Sequence, residues 1–153
     1  MKSEIDELFA ARDQEQREIA EAKERKAQAE SKRRQQAVQI LQQHLTPVLK
    51  DTVAELNARN EKATFSTDYA ALLPTASLTV LISMGSRANY QDSTLKFQML
   101  MNGYVQATYA VWGSKGKVES FEPNAPMISS AELSQEWCKK VVVEFLATVL
   151  KQI

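Results

Sequence analysis

The sequence predicts an α+β protein. A long N-terminal helix, coiled-coil-like over its first part, leads into a three- to four-stranded antiparallel β-meander packed by a C-terminal helix. Three observations carry this reading. Residues 3–60 contain no glycine and one proline, Pro47, a run suited to a helix. Apolar residues then alternate with period two between Leu78 and Phe121. A broad apolar stripe at helical spacing closes the chain, from Leu133 to Leu150.

The composition is uneven along the 153 residues. All 4 glycines lie between Gly85 and Gly116, and Phe9 is the one aromatic residue before Phe65. A dense core must therefore come from the later part. Division into a charged helical arm, residues 1–37, and an α+β domain, residues 38–153, follows. Basic and acidic side chains balance at 19 each, so no net field draws in nucleic acid or an anionic membrane. The longest strongly apolar run, residues 78–84, is too short to span a bilayer. The acidic N-terminus lacks the apolar core of a secretory signal, so a cytoplasmic protein is expected. Cys138 is the sole cysteine, which excludes an internal disulfide framework.

Within the arm, a 3-4 spacing from Ile5 gives Ile5, Leu8, Arg12, Glu15, Ile19, Ala22, Lys26, Ala29 and Arg33, a seam interrupted by charge. The charges themselves are segregated. Acidic side chains dominate from Glu4 to Glu24, and basic ones from Lys23 to Arg34, where Glu24 and Glu30 alone oppose them. Antiparallel pairing of two such helices, crossing near Ala22, sets the acidic half against the basic half. Parallel pairing sets like against like. Homo-oligomerisation by antiparallel arms, or docking to a protein partner, is therefore expected, with Ile5, Leu8, Phe9, Ile19, Arg25, Lys26, Arg33 and Arg34 as contact residues. Local pairs such as Asp13–Arg17 and Glu21–Arg25 support the isolated helix weakly, at about 0.3–0.5 kcal/mol each. The basic stretch 23–34 is also a nucleic-acid candidate, disfavoured because no aromatic residue is interleaved and acidic neighbours repel phosphate.

From Val38 the pattern becomes a full amphipathic stripe, with Leu41, Leu45, Val48, Leu49, Val53 and Leu56, predicting a core helix over 38–60. Thr46-Pro47 interrupts it either as a fresh N-terminus or as a kink. The stripe stays in phase across the proline, which favours a kink.

Strands are predicted over about 77–84, 94–100, 104–112 and 117–121, with a further edge strand near 63–66. The Asn102-Gly103 hairpin can be registered from the sequence. A two-residue loop sets Met99 beside Gln106, whereas the loop Met101-Asn102-Gly103 sets Met99, Phe97 and Leu95 opposite Val105, Ala107 and Tyr109. The longer loop, with Gly103 left-handed in a bulge, is predicted. At the next turn, 113–116, Val111 is expected opposite Val118. Leu100, Tyr104, Trp112 and Phe121 then fall on the outer face. Residues 122–126 read as an extended crossover, and Ser129 with Glu132 as a capping box opening a helix over 130–151.

Catalytic chemistry has no candidate in this chain. His44 is the one histidine, Cys138 lacks a second thiol or imidazole nearby, and 113–116 is a hairpin turn rather than a phosphate loop. No cofactor or metal site is expected. The loop 85–93, with Arg87, Asn89, Tyr90 and Asp92, is the richest polar loop and the place expected for a ligand or partner. Tyr104 and Trp112 complete that expected surface. The sequence thus points to a non-enzymatic structural or interaction protein, an adaptor whose arm mediates oligomerisation or docking and whose domain offers a second surface. The alternative is a ligand-binding regulatory module with a pocket between sheet and helices, lined by Met99, Tyr109 or Trp137.

Overall fold

The structure is a computed structural model that describes residues 1–82, 92–113 and 116–151. The chain divides into two compact units, Met1–Gln36 and Ala37–Ile153. Helix α1 (Lys2–His44) supplies the whole of the first unit beyond Met1, and every residue of that unit is exposed. The last turns of α1 are different in kind. Leu41 is buried, and Ala37 and Ile40 pack against the core of the second unit.

Helix α2 (Thr46–Ala58) is separated from α1 by one residue. The intervening Leu45 keeps helical dihedrals, φ −87° and ψ −50°. Its N–H donates to the Leu41 carbonyl at 2.8 Å, and its carbonyl accepts from Leu49 N–H at 3.0 Å. The helix is therefore bent at Pro47 rather than restarted. Proline has no N–H to give the Gln43 carbonyl four residues back. Nε2 of Gln135 approaches that carbonyl at 3.5 Å, a long contact at the one place where the ladder lacks a donor. Thr46 does not cap the helix; its hydroxyl meets the Tyr69 hydroxyl at 2.8 Å. With the phase kept, Leu41, Leu45, Val48 and Leu49 all reach the core.

Among the described residues the sheet has six strands: the four predicted, the edge strand predicted near 63–66, and one more at the C-terminal end. They are β1 (Lys62–Asp68), β2 (Thr75–Leu81), β3 (Ser93–Met99), β4 (Tyr104–Trp112), β5 (Val118–Phe121) and β6 (Met127–Ser129). All neighbours are antiparallel, in the order β1-β2-β3-β4-β5, with β6 also on β4. The strand predicted over 77–84 is β2, which starts and ends earlier; residues 83 and 84 lie outside the described residues. The β3–β4 hairpin has the predicted register, Met99 opposite Val105, Phe97 opposite Ala107 and Leu95 opposite Tyr109. Gly103 stands at φ +84°, the left-handed conformation the bulge requires.

The β4–β5 register differs from expectation. Val118 pairs with Trp112, and Val111 faces Glu119. The cause is a second turn of the same type. Gly113 N–H donates to the Lys117 carbonyl at 2.9 Å, Gly116 N–H to the Gly113 carbonyl at 3.1 Å, and Gly116 sits at φ +74°. In the first hairpin Leu100 N–H donates to Tyr104 and Gly103 N–H to Leu100 in the same way. Phe121 consequently belongs to the inner face, stacked on Tyr109 with ring centroids 5.8 Å apart, not to the outer face.

The segment 122–126 is not a simple crossover. It is a bulge between two short strands that continue along one edge of β4, Ala107 N–H donating to the Pro126 carbonyl at 2.8 Å. The final helix, α3 (Gln135–Lys151), starts five residues later than predicted. Ser129 and Glu132 form a turn closed by Glu132 N–H on the Ser129 carbonyl, 2.9 Å, instead of a capping box. The cap is Ser134, whose hydroxyl accepts from Trp137 N–H at 3.2 Å. From there α3 lays Trp137, Cys138, Val141, Val142, Phe145 and Val149 on the core.

The paired turns make a checkable statement about stability. Gly103→Ala and Gly116→Ala are each expected to cost about 1–2 kcal/mol in urea unfolding, because both force a side chain into the left-handed region. Crowding plays little part, since a Cβ at Gly103 meets its nearest atom at 3.9 Å and one at Gly116 meets nothing. A neutral Gly116→Ala would contradict the left-handed turn.

Candidate interaction surfaces

In the first unit the contact residues read from the sequence lie on one exposed helix. Ile5, Leu8 and Phe9, spaced to share a face, are 44%, 71% and 50% exposed. Arg12 continues that face, its guanidinium 4.7 Å from the centre of the Phe9 ring. Ile19 recurs two heptads after Ile5 and is 51% exposed. Arg25, Lys26, Arg33 and Arg34 are exposed too. Asp13 pairs with its neighbour Arg12 at 3.3 Å rather than with Arg17, an open contact that adds little to stability.

In the second unit only part of the expected partner surface falls on described residues. Arg87, Asn89 and Tyr90 lie outside the described residues. Asp92 is exposed just before β3. Tyr104 and Trp112 open and close β4, about 27 Å apart at the usual strand rise. Trp112 is half-buried, its N–H donating to the Ser93 hydroxyl at 3.0 Å, while Tyr104 keeps an exposed ring.

The residues expected to line an internal pocket lie in the core. Met99, Tyr109 and Trp137 are buried in contact with their neighbours. Tyr109 lies between Phe121 and the edge of Phe145, at 5.8 and 5.5 Å, with its hydroxyl 3.3 Å from Thr148 Oγ1. Trp137 meets Phe97 edge-on at 5.8 Å and donates from Nε1 to the Ala125 carbonyl at 3.2 Å. Cys138 is fully buried among these groups, and burial pushes its thiol up from 9.0 to about 12. Burial likewise raises Tyr69, with the Thr46 hydrogen bond acting the other way. His44 closes α1 half-buried.

An open groove of about 700 Å³ lies instead between α2 and α3. Val48, Leu56, Ile82, Val142 and Leu146 give it an apolar lining. Asp51, Glu55 and Glu61 stand on its α2 side and Lys139 on its α3 side. Val143 and Leu150 also line it and are 64% and 57% exposed. The sequence shows the apolar stripe of each helix but not this groove, which arises from how two separate stripes meet over the sheet.

Among the described residues, no group of three or more His, Cys, Asp or Glu side chains is placed to hold a metal ion. No described helix is long and apolar enough to cross a membrane. Comparison with protein-family models, curated proteins and solved structures finds no match to this chain.

The buried thiol generates a pH prediction. Its pKa is raised on folding, so the folded state holds the proton more tightly, and the contribution is complete below pH 9.0. As pH rises from there towards about 12, stability falls by up to about 1.4 kcal/mol per pH unit. Urea unfolding from pH 8 to 11 should show a decline that Cys138→Ala flattens, whatever that variant's offset at neutral pH. A decline of equal slope in the variant would remove Cys138 as its cause.

Proposed function

We propose that this chain is a non-enzymatic interaction protein that associates through its helical arm, with the α+β unit as a second docking surface. The observation that carries the reading is that every residue from 1 to 36 is exposed, apolar Ile5, Leu8, Phe9 and Ile19 included. An amphipathic helix of this kind reaches its full stability when its apolar face is covered by packing. The segregated charge favours a second copy laid antiparallel as that cover, the acidic stretch 4–24 against the basic stretch 23–34. The groove between α2 and α3 supports a second surface, with its apolar floor and mixed charged rims.

The test compares the full chain with a chain starting at Ala37, which keeps the entire buried core. In sedimentation equilibrium the full chain should self-associate at least about tenfold more tightly, about 1.4 kcal/mol. Raising salt to 1 M should narrow that gap, since exposed charges are screened within a few ångströms there. Lys26→Glu with Arg33→Glu should weaken the full chain and leave the short one unaffected. Equal association of the full and shortened chains would overturn the reading.

A further inference from the structure

We propose that the free edge of the sheet, strand β1, pairs antiparallel with β1 of a second copy about a two-fold axis at Phe65. Strand β1 ends the strand order, and among the described residues no further strand lies beyond it. It is seven residues long, paired along its whole length to β2, with no proline and no bulge. Edges of that kind are normally blunted, because a regular row of unpaired N–H and C=O groups is a template for another strand.

The outward groups are identifiable from the hydrogen bonds. Ala63 N–H donates to Oδ1 of Asn57, at 3.2 Å, so Ala63 turns its backbone groups away from β2. By the alternation of an antiparallel ladder, Phe65 and Thr67 do the same. An axis at Phe65 therefore opposes outward-facing residues throughout. Each Phe65 exchanges N–H and C=O with its counterpart, and each Thr67 does the same with the second copy's Ala63, its carbonyl replacing Asn57 Oδ1 on the Ala63 N–H.

Side chains select this register. With the axis at Phe65, Lys62 faces the second copy's Asp68 at both ends, and Thr64 faces the second copy's Ser66. Moving the axis to Thr64 or Ser66 separates both charge pairs. Lys62, Thr64, Ser66 and Asp68 are all exposed, and Phe65 is half-buried on the inner face. Asp68 keeps a carboxylate oxygen for Lys62 beyond the one that accepts from Ala71 N–H at 3.1 Å. This surface is distinct from the arm and does not depend on it.

Disulfide trapping in the full chain tests the register. Thr64→Cys and Ser66→Cys chains are prepared separately, then mildly oxidised alone and mixed at micromolar concentration. The mixture should give a 64–66 linked dimer, while each variant alone gives little, since like positions are diagonal and too far apart for an unstrained bridge. Cys138 is buried with a raised pKa and does not compete. In parallel, Lys62→Asp and Asp68→Lys should each weaken association by about tenfold alone and recover it when mixed, because a mixed pair again opposes unlike charges. Absence of the 64–66 link, or equal trapping in the single-variant samples, overturns the edge pairing. Association that persists without that link and is lost in the chain starting at Ala37 would leave the arm reading standing.

Discussion

The inward alternation of β4 is the constraint to which the second unit is registered. Val105, Ala107, Tyr109 and Val111 are all buried. Their face is fixed on one side by β3 and on the other by β5 and β6, which share a single edge of β4 in succession. Because side chains alternate strictly, a slip of one residue in any of these ladders would exchange the buried set for Gln106, Thr108 and Ala110. Tyr109 is the node: its ring touches Phe121 across the ladder and Phe145 from α3, and its hydroxyl meets Thr148 of the same helix. The bulge at 122–126 lets the chain pass from β5 to β6 while staying on that edge. It is tied down from above by Trp137 on the Ala125 carbonyl and by Glu144, which accepts from Asn124 N–H at 2.9 Å.

Much of this was legible in the sequence, and the misses have specific causes. The first hairpin was legible because every inner position along two long strands had to agree, which left one register. The second hairpin offered a four-residue strand with only Val118 and Phe121 as apolar guides, and matching valine to valine chose the wrong face. The better signal was Gly116, which occupies the same place in its turn as Gly103. Strand β6 is three residues flanked by a proline and a polar turn, too short for any period to show. The helix start was misplaced because Ser129-Ser130-Ala131-Glu132 has the spacing of a capping box. Leu133 decides the matter: it is buried ahead of the helix, and Ser134 follows it as the first residue able to cap. The arm's exposed apolar residues stand out in the sequence by their isolation among charges, whereas the groove between α2 and α3 is a tertiary feature that neither helix encodes alone.

Pro47 links local sequence to long-range packing. The bend costs the Gln43 carbonyl its ladder partner, yet Leu41, Leu45, Val48 and Leu49 stay in phase and are buried. Losing a single such leucine from a packed core costs about 2–5 kcal/mol, more than one exposed helical hydrogen bond contributes. Packing therefore outweighs the broken ladder, and the helix continues through the proline.

The two proposed association surfaces differ in physical character, and that difference matters more than their number. Arm pairing rests on side chains: a thin apolar seam and segregated charge, strong at low salt and specific for orientation. Edge pairing rests on backbone groups, which salt screens weakly, with Lys62 and Asp68 choosing the register rather than supplying the bulk of the attraction. A chain with no net charge meets little long-range repulsion when its copies approach, so neither surface has to overcome a repelling field. In the proposed assembly the arm's charge pattern selects orientation and the strand edge selects register.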